Sequence, residues 1–142
     1  MIKMMDNSKV WLVPEGEEEE KLFNVLKRKL LDPAQLTIDY SAIKKLLKMD
    51  YITFGTESTG EKGVCGIVIF GKHVLTDRHF QREVIVRNEY FKPFFRYLTK
   101  GMELREYLPI DFYFKVDNPV IVQIGPRMGI IAPCISSEYE FD

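Results

Sequence analysis

The start of the chain combines a short apolar run with a helical pattern. Residues 9–13 predict a strand that ends at Pro14. Residues 21–31 predict a helix that begins in the preceding run Glu17 to Glu20, because these glutamates form its first turn and basic residues its last, which suits the helix dipole. Its apolar positions share one helical stripe: Leu22, Phe23, Leu26 and Leu30. We therefore assign residues 1–35 to an N-terminal strand-helix extension.

The following stretch predicts a strand, a helix and a hairpin. Residues 36–40 alternate between apolar and polar positions, as a strand does. Ser41 is predicted to cap a short helix that runs to position 47 or 48, with an apolar side opposite a lysine-rich one. Residues 51–56 and 64–70 then predict two strands on either side of a polar turn.

A second stretch repeats this order. Residues 82–87 alternate as a strand. A helix is then predicted to open at Asn88 or Glu89, with Pro93 near its first turn and Gly101 as its stop. Three further strands separated by turns are predicted, at residues 108–116, 120–124 and 128–135.

The two stretches superimpose when the chain is shifted by 48 positions. Ile43 then falls on Phe91, and Leu47 on Phe95, so the apolar positions of the two helices coincide. The strand before each helix coincides under the same shift. This match predicts an α+β domain of two βαβββ units, with an antiparallel sheet behind two helices.

Length and composition restrict the class of protein. A chain of 142 residues has the size of one domain, and 46% hydrophobic with 29% charged residues is typical of globular proteins. The longest apolar run, Val64–Phe70, is far shorter than the roughly 20 residues of a membrane span. No signal peptide is recognisable at the start, so we expect a cytoplasmic protein, on the nucleoid or, for a virus, in the host nucleus or cytoplasm.

Charge is distributed unevenly along the chain. Residues 36–100 hold eleven basic and seven acidic side chains, a net charge of +4, whereas residues 101–142 hold three and seven, a net charge of −4. The predicted helices supply a cationic face each, and these faces are candidates for contact with phosphates. The candidate DNA-binding residues are Lys44, Lys45, Lys48, Lys92, Arg96 and Lys100.

The closing part of the chain resembles a DNA sliding clamp of the proliferating-cell-nuclear-antigen type. The resemblance rests on a helix from Glu89, the alternating strand IDFYFKV, the turn and strand DNPVIVQI, the glycine turn GPRM and the ending Ile131-Ala132-Pro133. Residues 36–72 resemble the preceding half of such a domain more faintly. The two parts together cover about two-thirds of the chain.

This resemblance implies a clamp-like domain over residues 36–135, followed by an acidic tail at residues 136–142. It implies helices that face duplex DNA, sheets that face outward and a non-catalytic role in DNA replication or repair as a processivity factor. Clamp subunits of this type carry two such domains, and this chain has room for one. The partners expected are therefore duplex DNA, further copies or another clamp-type subunit, and a polymerase or transcription factor, with no membrane.

The residues that could support an enzyme are few. A loop carries His73, Asp77 and His79, and Asp111 is followed by Lys115, but neither set has the ligand number of a metal site. Both cysteines, Cys65 and Cys134, are predicted to be buried hydrophobic side chains, and no other catalytic motif is present. We therefore expect no enzyme, no metal and no cofactor.

Two other binding modes are open. The aromatic residues Tyr90, Phe91, Phe94, Phe95 and Tyr97 could stack on single-stranded bases. Helical spacing puts the three phenylalanines on one side, which favours burial in the core and leaves the tyrosines for surface contacts. The alternative function is a clamp-like interaction protein that docks on a replication or transcription factor without encircling DNA.

Overall fold

The computed structural model describes residues 34–58, 64–71, 80–116 and 118–134, together with Lys21, Asn24, Val25 and Arg28. The last four are helical and exposed, at positions within the helix predicted for residues 21–31. The predicted strand at residues 9–13 lies outside the described residues. The elements are β1 (Ala34–Asp39), α1 (Tyr40–Leu46), β2 (Tyr51–Ser58), β3 (Val64–Phe70), β4 (Phe80–Arg87), α2 (Asn88–Leu98), β5 (Pro109–Phe114), β6 (Val120–Ile124) and β7 (Arg127–Ile131).

The strands form two antiparallel sheets, where the sequence predicted one. The first sheet has the order β1-β5-β6-β7, and the second has the order β3-β2-β4. In the first, Leu36 lies opposite Phe112; in the second, Ile52 lies opposite Val86. The strand that precedes each helix therefore pairs with the first strand after the other helix. The result is a mixed α+β fold with two helices and antiparallel sheets in the described part of the chain.

The helix α1 begins two residues earlier than a Ser41 cap predicts, because Asp39 is its cap. Asp39 has an extended backbone, and its Oδ1 accepts a hydrogen bond from the Ala42 N–H at 3.1 Å. The Ser41 hydroxyl donates to the same oxygen. The Ser41 hydrogen bond, followed by that from Ala42, lowers the pKa of Asp39. A carboxylate is among the best N-caps, and it outcompetes the hydroxyl two residues later.

The helix α2 begins at Asn88, as predicted, and is held by its buried side. Phe91, Phe94 and Leu98 are almost fully buried. Pro93 lies in the second turn and not in the first, so this detail of the prediction is wrong. Both Pro93 and Glu89 are exposed, so solvent can hydrogen-bond the Glu89 carbonyl that would otherwise accept the missing N–H.

Aromatic rings from both sheets and from α2 meet in one core. Phe54 of the second sheet lies 5.3 Å from Phe112 and from Phe114 of the first, measured between ring centroids. Phe91 of α2 lies 6.4 Å from Phe112. Pairs at these separations gain beyond the burial of their surface, so the core joins both sheets and the longer helix.

The two junctions between strand and helix have the same hydrogen-bond geometry. The N–H of Tyr40, the first residue of α1, donates to the Leu108 carbonyl just before β5, at 3.0 Å. The N–H of Asn88, the first residue of α2, donates to the Asp50 carbonyl just before β2, at 2.9 Å. Tyr40 and Asn88 are 48 positions apart, which is the shift at which the sequence matches itself.

Candidate nucleic-acid interface

All six candidate basic residues are exposed. Lys44 and Lys45 lie in the last turn of α1, and Arg96 lies in the last turn of α2. Lys48 follows α1, Lys92 lies within α2 and Lys100 follows it; these three are exposed as well. Cations near the carboxyl ends of helices also stabilise the helices themselves through the dipole. The six basic side chains are therefore exposed, as predicted, and those in the last helical turns also stabilise the helices.

A groove of about 300 Å³ lies between the two basic helices. Lys92 and Arg96 of α2 line it alongside Tyr40 of α1. The Lys44 ammonium lies 5.7 Å from the centroid of the Tyr40 ring, which is a cation–π contact. Two cations of α2 thus lie in the groove lining, and Lys44 of α1 contacts one of the lining residues, Tyr40.

The floor of the groove is apolar. It consists of the half-buried side chains of Tyr40, Leu47 and Leu104, and the buried Phe95 ring stacks on Tyr40 at 6.2 Å between centroids. The Thr99 hydroxyl, also in the lining, donates to the Phe95 carbonyl at 2.8 Å. The site is therefore a hydrophobic strip with cationic side chains along it.

Electrostatics in and around the groove favour an anion. None of its seven lining residues is acidic. The acids adjacent to lining residues in sequence have partners of their own: Asp39 accepts hydrogen bonds from Ser41 and Ala42. Glu103 pairs with Arg105 at 3.2 Å, and Glu89, at the start of α2, pairs with Arg87 at 3.3 Å. The hydrogen bond that Arg87 donates to Tyr51 is the main cause that raises the pKa of Arg87, and Glu89 adds to it.

Two side chains that the sequence analysis missed hold the carboxyl ends of the helices. The buried Asn88 amide donates to the Leu46 and Met49 carbonyls at 2.8 and 2.6 Å, at the end of α1. Arg127 of β7 donates to the Leu98 and Lys100 carbonyls at 3.0 and 2.6 Å, at the end of α2. These bonds fix the backbone that carries the basic side chains.

The sequence pattern indicates a buried, hydrogen-bonded role for Asn88 but not for Arg127. Asn88 precedes Phe91 and Phe95 by three and seven positions, so it is a polar residue on an apolar helical stripe. Such a residue needs buried partners, and here α1 supplies them. The spacing around Arg127 gives no comparable indication, because its partners come from a helix 29 positions away.

The structure supports the predicted burial of the aromatic residues of α2. Phe91, Phe94 and Phe95 are at most 4% exposed and lie in the core, so these rings do not present their faces to bases. Tyr90 and Tyr97 are half-buried and pack against the same core. Single-strand stacking on this helix would rest on the two tyrosines alone.

The other candidate sites give no constellation for catalysis. Among the described residues no group of three or more His, Cys, Asp or Glu side chains could hold a metal ion. His73, Asp77 and His79 lie outside that part of the chain. The Asp111 carboxylate accepts a hydrogen bond from Thr37 on the neighbouring strand, and Cys134 is buried as predicted.

Comparisons with protein-family models, with curated proteins and with solved structures find no significant match to this chain. Within the described residues, no helix has the length and apolar character needed to cross a membrane. Arguments about function therefore rest on the groove and on the two basic helices that border it.

Proposed function

We propose that this protein is a non-catalytic, sliding-clamp-like component of DNA replication or repair that meets duplex DNA through its two helices. The observation that carries the proposal is a groove between α1 and α2 that Lys92 and Arg96 line. Lys44 of α1 contacts Tyr40, another lining residue, with its ammonium 5.7 Å from the ring centroid. Exposed lysines and arginines on a rigid pair of helices suit contacts with phosphates, which carry no sequence information.

The proposed clamp-like arrangement of two βαβββ units has support in the strand pairing. The second half of the described chain runs β4-α2-β5-β6-β7, and the first half runs β1-α1-β2-β3. Each helix starts with the same hydrogen bond to the residue before the other unit's first hairpin strand, from Tyr40 and from Asn88. A duplicated unit explains both this geometry and the match at a shift of 48 positions.

One domain is too small to surround a duplex, so the proposal requires further copies or another clamp-type subunit. Strands β1 and β3 each have one neighbour in the described sheets, and an open strand edge can pair with another chain. We also propose a polymerase or a transcription factor as a partner. We place the activity in the cytoplasm, on the nucleoid, or in the host nucleus or cytoplasm if the source is a virus.

A salt titration with duplex DNA tests the proposal. Binding should be weak, independent of sequence and steeply dependent on salt, and each lost phosphate contact should lower the salt slope by about 0.9. The double variant Lys92→Ala, Arg96→Ala should therefore bind less tightly to every duplex and show a shallower slope. Linear and closed circular templates are compared, because a topologically linked ring is lost from open ends.

The matched control removes the same charge elsewhere. Lys21 and Arg28 are exposed, and they lie outside α1 and α2. The double variant Lys21→Ala, Arg28→Ala should keep the salt slope of the wild type. Equal losses in both double variants would show that net charge, and not the helix surface, determines binding. Absence of binding to either template at low salt would refute the DNA proposal.

The second candidate is a clamp-like interaction protein that docks on a replication or transcription factor. The apolar floor formed by Tyr40, Leu47 and Leu104 favours it, because a phosphate backbone does not cover such a surface. This candidate predicts little DNA binding at any salt concentration. It also predicts a partner interface that survives Lys92→Ala with Arg96→Ala, so one set of variants separates the two functions.

A further inference from the structure

The groove between the helices has a chemistry that duplex DNA uses only in part. Its cations, Lys92 and Arg96, suit phosphates or carboxylates, whereas its floor of Tyr40, Leu47 and Leu104 suits an apolar side chain. A ligand that satisfies both parts carries bulky apolar groups close to negative charges. A short peptide in which aromatic residues alternate with acidic residues has this character.

The chain itself contains such a peptide. Residues 138–142 read Glu-Tyr-Glu-Phe-Asp, with three carboxylates alternating with two aromatic rings. These five residues lie outside the described part of the structure. Their charge is opposite to that of the groove, and two rings can be offered to its apolar floor. No other stretch of five residues in the sequence alternates acidic and aromatic side chains in this way.

The described chain ends within reach of the groove. The N–H of Cys134 donates to the Ile85 carbonyl at 2.8 Å, on the strand that leads into α2. From Ile85 to Phe95 the backbone covers two strand steps and about eight helical residues, which is at most roughly 19 Å. Seven extended residues, from Cys134 to Phe141, span up to about 25 Å. The linking residues are therefore long enough.

We infer that the groove between α1 and α2 is a docking site for residues 138–142 of the same chain. The carboxylates meet Lys92 and Arg96, and an aromatic ring covers Tyr40 and Leu47. The docked segment occupies the surface proposed for DNA, so duplex and segment compete for it. The inference itself stands on the groove and the sequence, and it does not require that DNA binds.

Competition with a free peptide tests the docking. A fluorescent peptide of residues 135–142 is titrated with the full chain and with the variant Tyr139→Ser, Phe141→Ser, and anisotropy is recorded. A tethered segment has an effective concentration on the order of 1 mM, so for a peptide Kd of about 100 µM the wild type should bind about tenfold more weakly than the variant. The control Ser136→Ala, Ser137→Ala should behave as the wild type.

Three results would overturn the inference. The first is a peptide that binds neither protein. The second is peptide binding to the tail variant that persists after Lys92→Ala and Arg96→Ala are added, because the segment would then bind elsewhere. The third is equal affinity for wild type and tail variant, or a difference that disappears on dilution, because the segment would not dock within its own chain. Circular dichroism melting confirms that each variant is folded.

A DNA titration with the same proteins separates this inference from the proposed function. If both are correct, Tyr139→Ser with Phe141→Ser strengthens duplex binding, since a competitor is removed. If only the docking is correct, the peptide results hold while no variant binds DNA. If only the DNA proposal is correct, the duplex affinity is the same with and without the tail substitutions, and the peptide does not bind.

Discussion

The helices α1 and α2 carry similar basic faces, but different forces hold them in place. α1 has seven residues, of which Ile43 alone is buried, and its amino end is fixed by the Asp39 carboxylate. α2 has eleven residues, buries five of them and has no side-chain hydrogen bond at its N-cap, Arg87. One helix therefore depends on its ends and the other on its buried side. Two helices with similar basic faces are therefore stabilised by different contacts.

The hydrogen-bond donors at the carboxyl ends of the two helices also differ, in charge and in burial. The carbonyls at the end of α1 receive the neutral amide of Asn88, which is 1% exposed, whereas those at the end of α2 receive the charged guanidinium of Arg127 on a partly exposed strand. Water can replace a donor at an exposed helix end but not at a buried one. The donor that serves the short helix is thus buried, whereas the donor that serves the longer one is partly exposed.

The largest expected effect is on the buried side of α2. Phe94 is fully buried, so Phe94→Ala removes a large apolar side chain and leaves a cavity. We expect a loss of about 3–5 kcal/mol in the free energy of unfolding, measured with urea. The neighbouring exposed variant Lys92→Ala serves as the control. A loss below about 1 kcal/mol would contradict the burial of Phe94 in the core.

The next effect compares the two carboxyl ends. Asn88→Ala removes a buried amide and with it the donor of the Leu46 and Met49 carbonyls, which should lower stability by about 1–3 kcal/mol. Arg127→Ala should lower stability by less than about 1 kcal/mol, because Arg127 is only partly buried and solvent can replace its hydrogen bond to the Lys100 carbonyl. Urea unfolding of the two variants gives the order directly. A larger loss for Arg127→Ala would reverse the comparison.

A smaller effect concerns the amino end of α1 and depends on pH. The pKa of Asp39 is lower in the folded chain than the ordinary value of 3.8, so its contribution to stability is complete above the unfolded pKa and is lost as the pH falls through the folded pKa. Asp39→Asn keeps an oxygen that can accept the Ala42 N–H but does not titrate. Melting temperatures between about pH 6 and pH 2.5 should therefore fall more steeply for the wild type than for the variant. Parallel curves would show that the cap is not ionised or not formed.

The smallest effect is expected where the two helices are alike. Lys92→Ala with Arg96→Ala changes exposed side chains, so the free energy of unfolding should change by no more than about 0.5 kcal/mol. Urea unfolding checks this, and it shows that any loss of ligand binding by the variant comes from the surface. A loss of several kcal/mol would mean that these cations have a structural role in the fold.

Local patterns predicted the helices well because burial imposes a period on the sequence. The stripe of Phe91, Phe94 and Leu98 identified the buried side of α2, and the charged positions between them identified its exposed side. The cap of α1 was assigned to the wrong residue, because Asp39 and Ser41 both accept hydrogen bonds and only the end of β1 decides between them.

The sequence pattern did not predict which strands pair with one another. A single sheet was expected, since alternation shows which side of a strand is buried but not which strand lies beside it. The groove was missed for a related reason, because Tyr40 and Phe95 come from helices that are distant in sequence and meet only in the fold. The six basic positions could be named in advance, while the hydrophobic strip between them could not.

The crossed pairing of strands has a consequence for how the chain folds. Because β1 completes the sheet of β5 to β7 and β4 completes the sheet of β2 and β3, neither half contains all the strands of its own sheet. Leu36 must find Phe112, 76 positions away, before the first sheet can close. Such non-local contacts slow folding, and a fragment that ends before β5 leaves β1 without its neighbour. Neither half can therefore complete its sheet without a strand from the other half, so the two helices are placed only when both halves have folded.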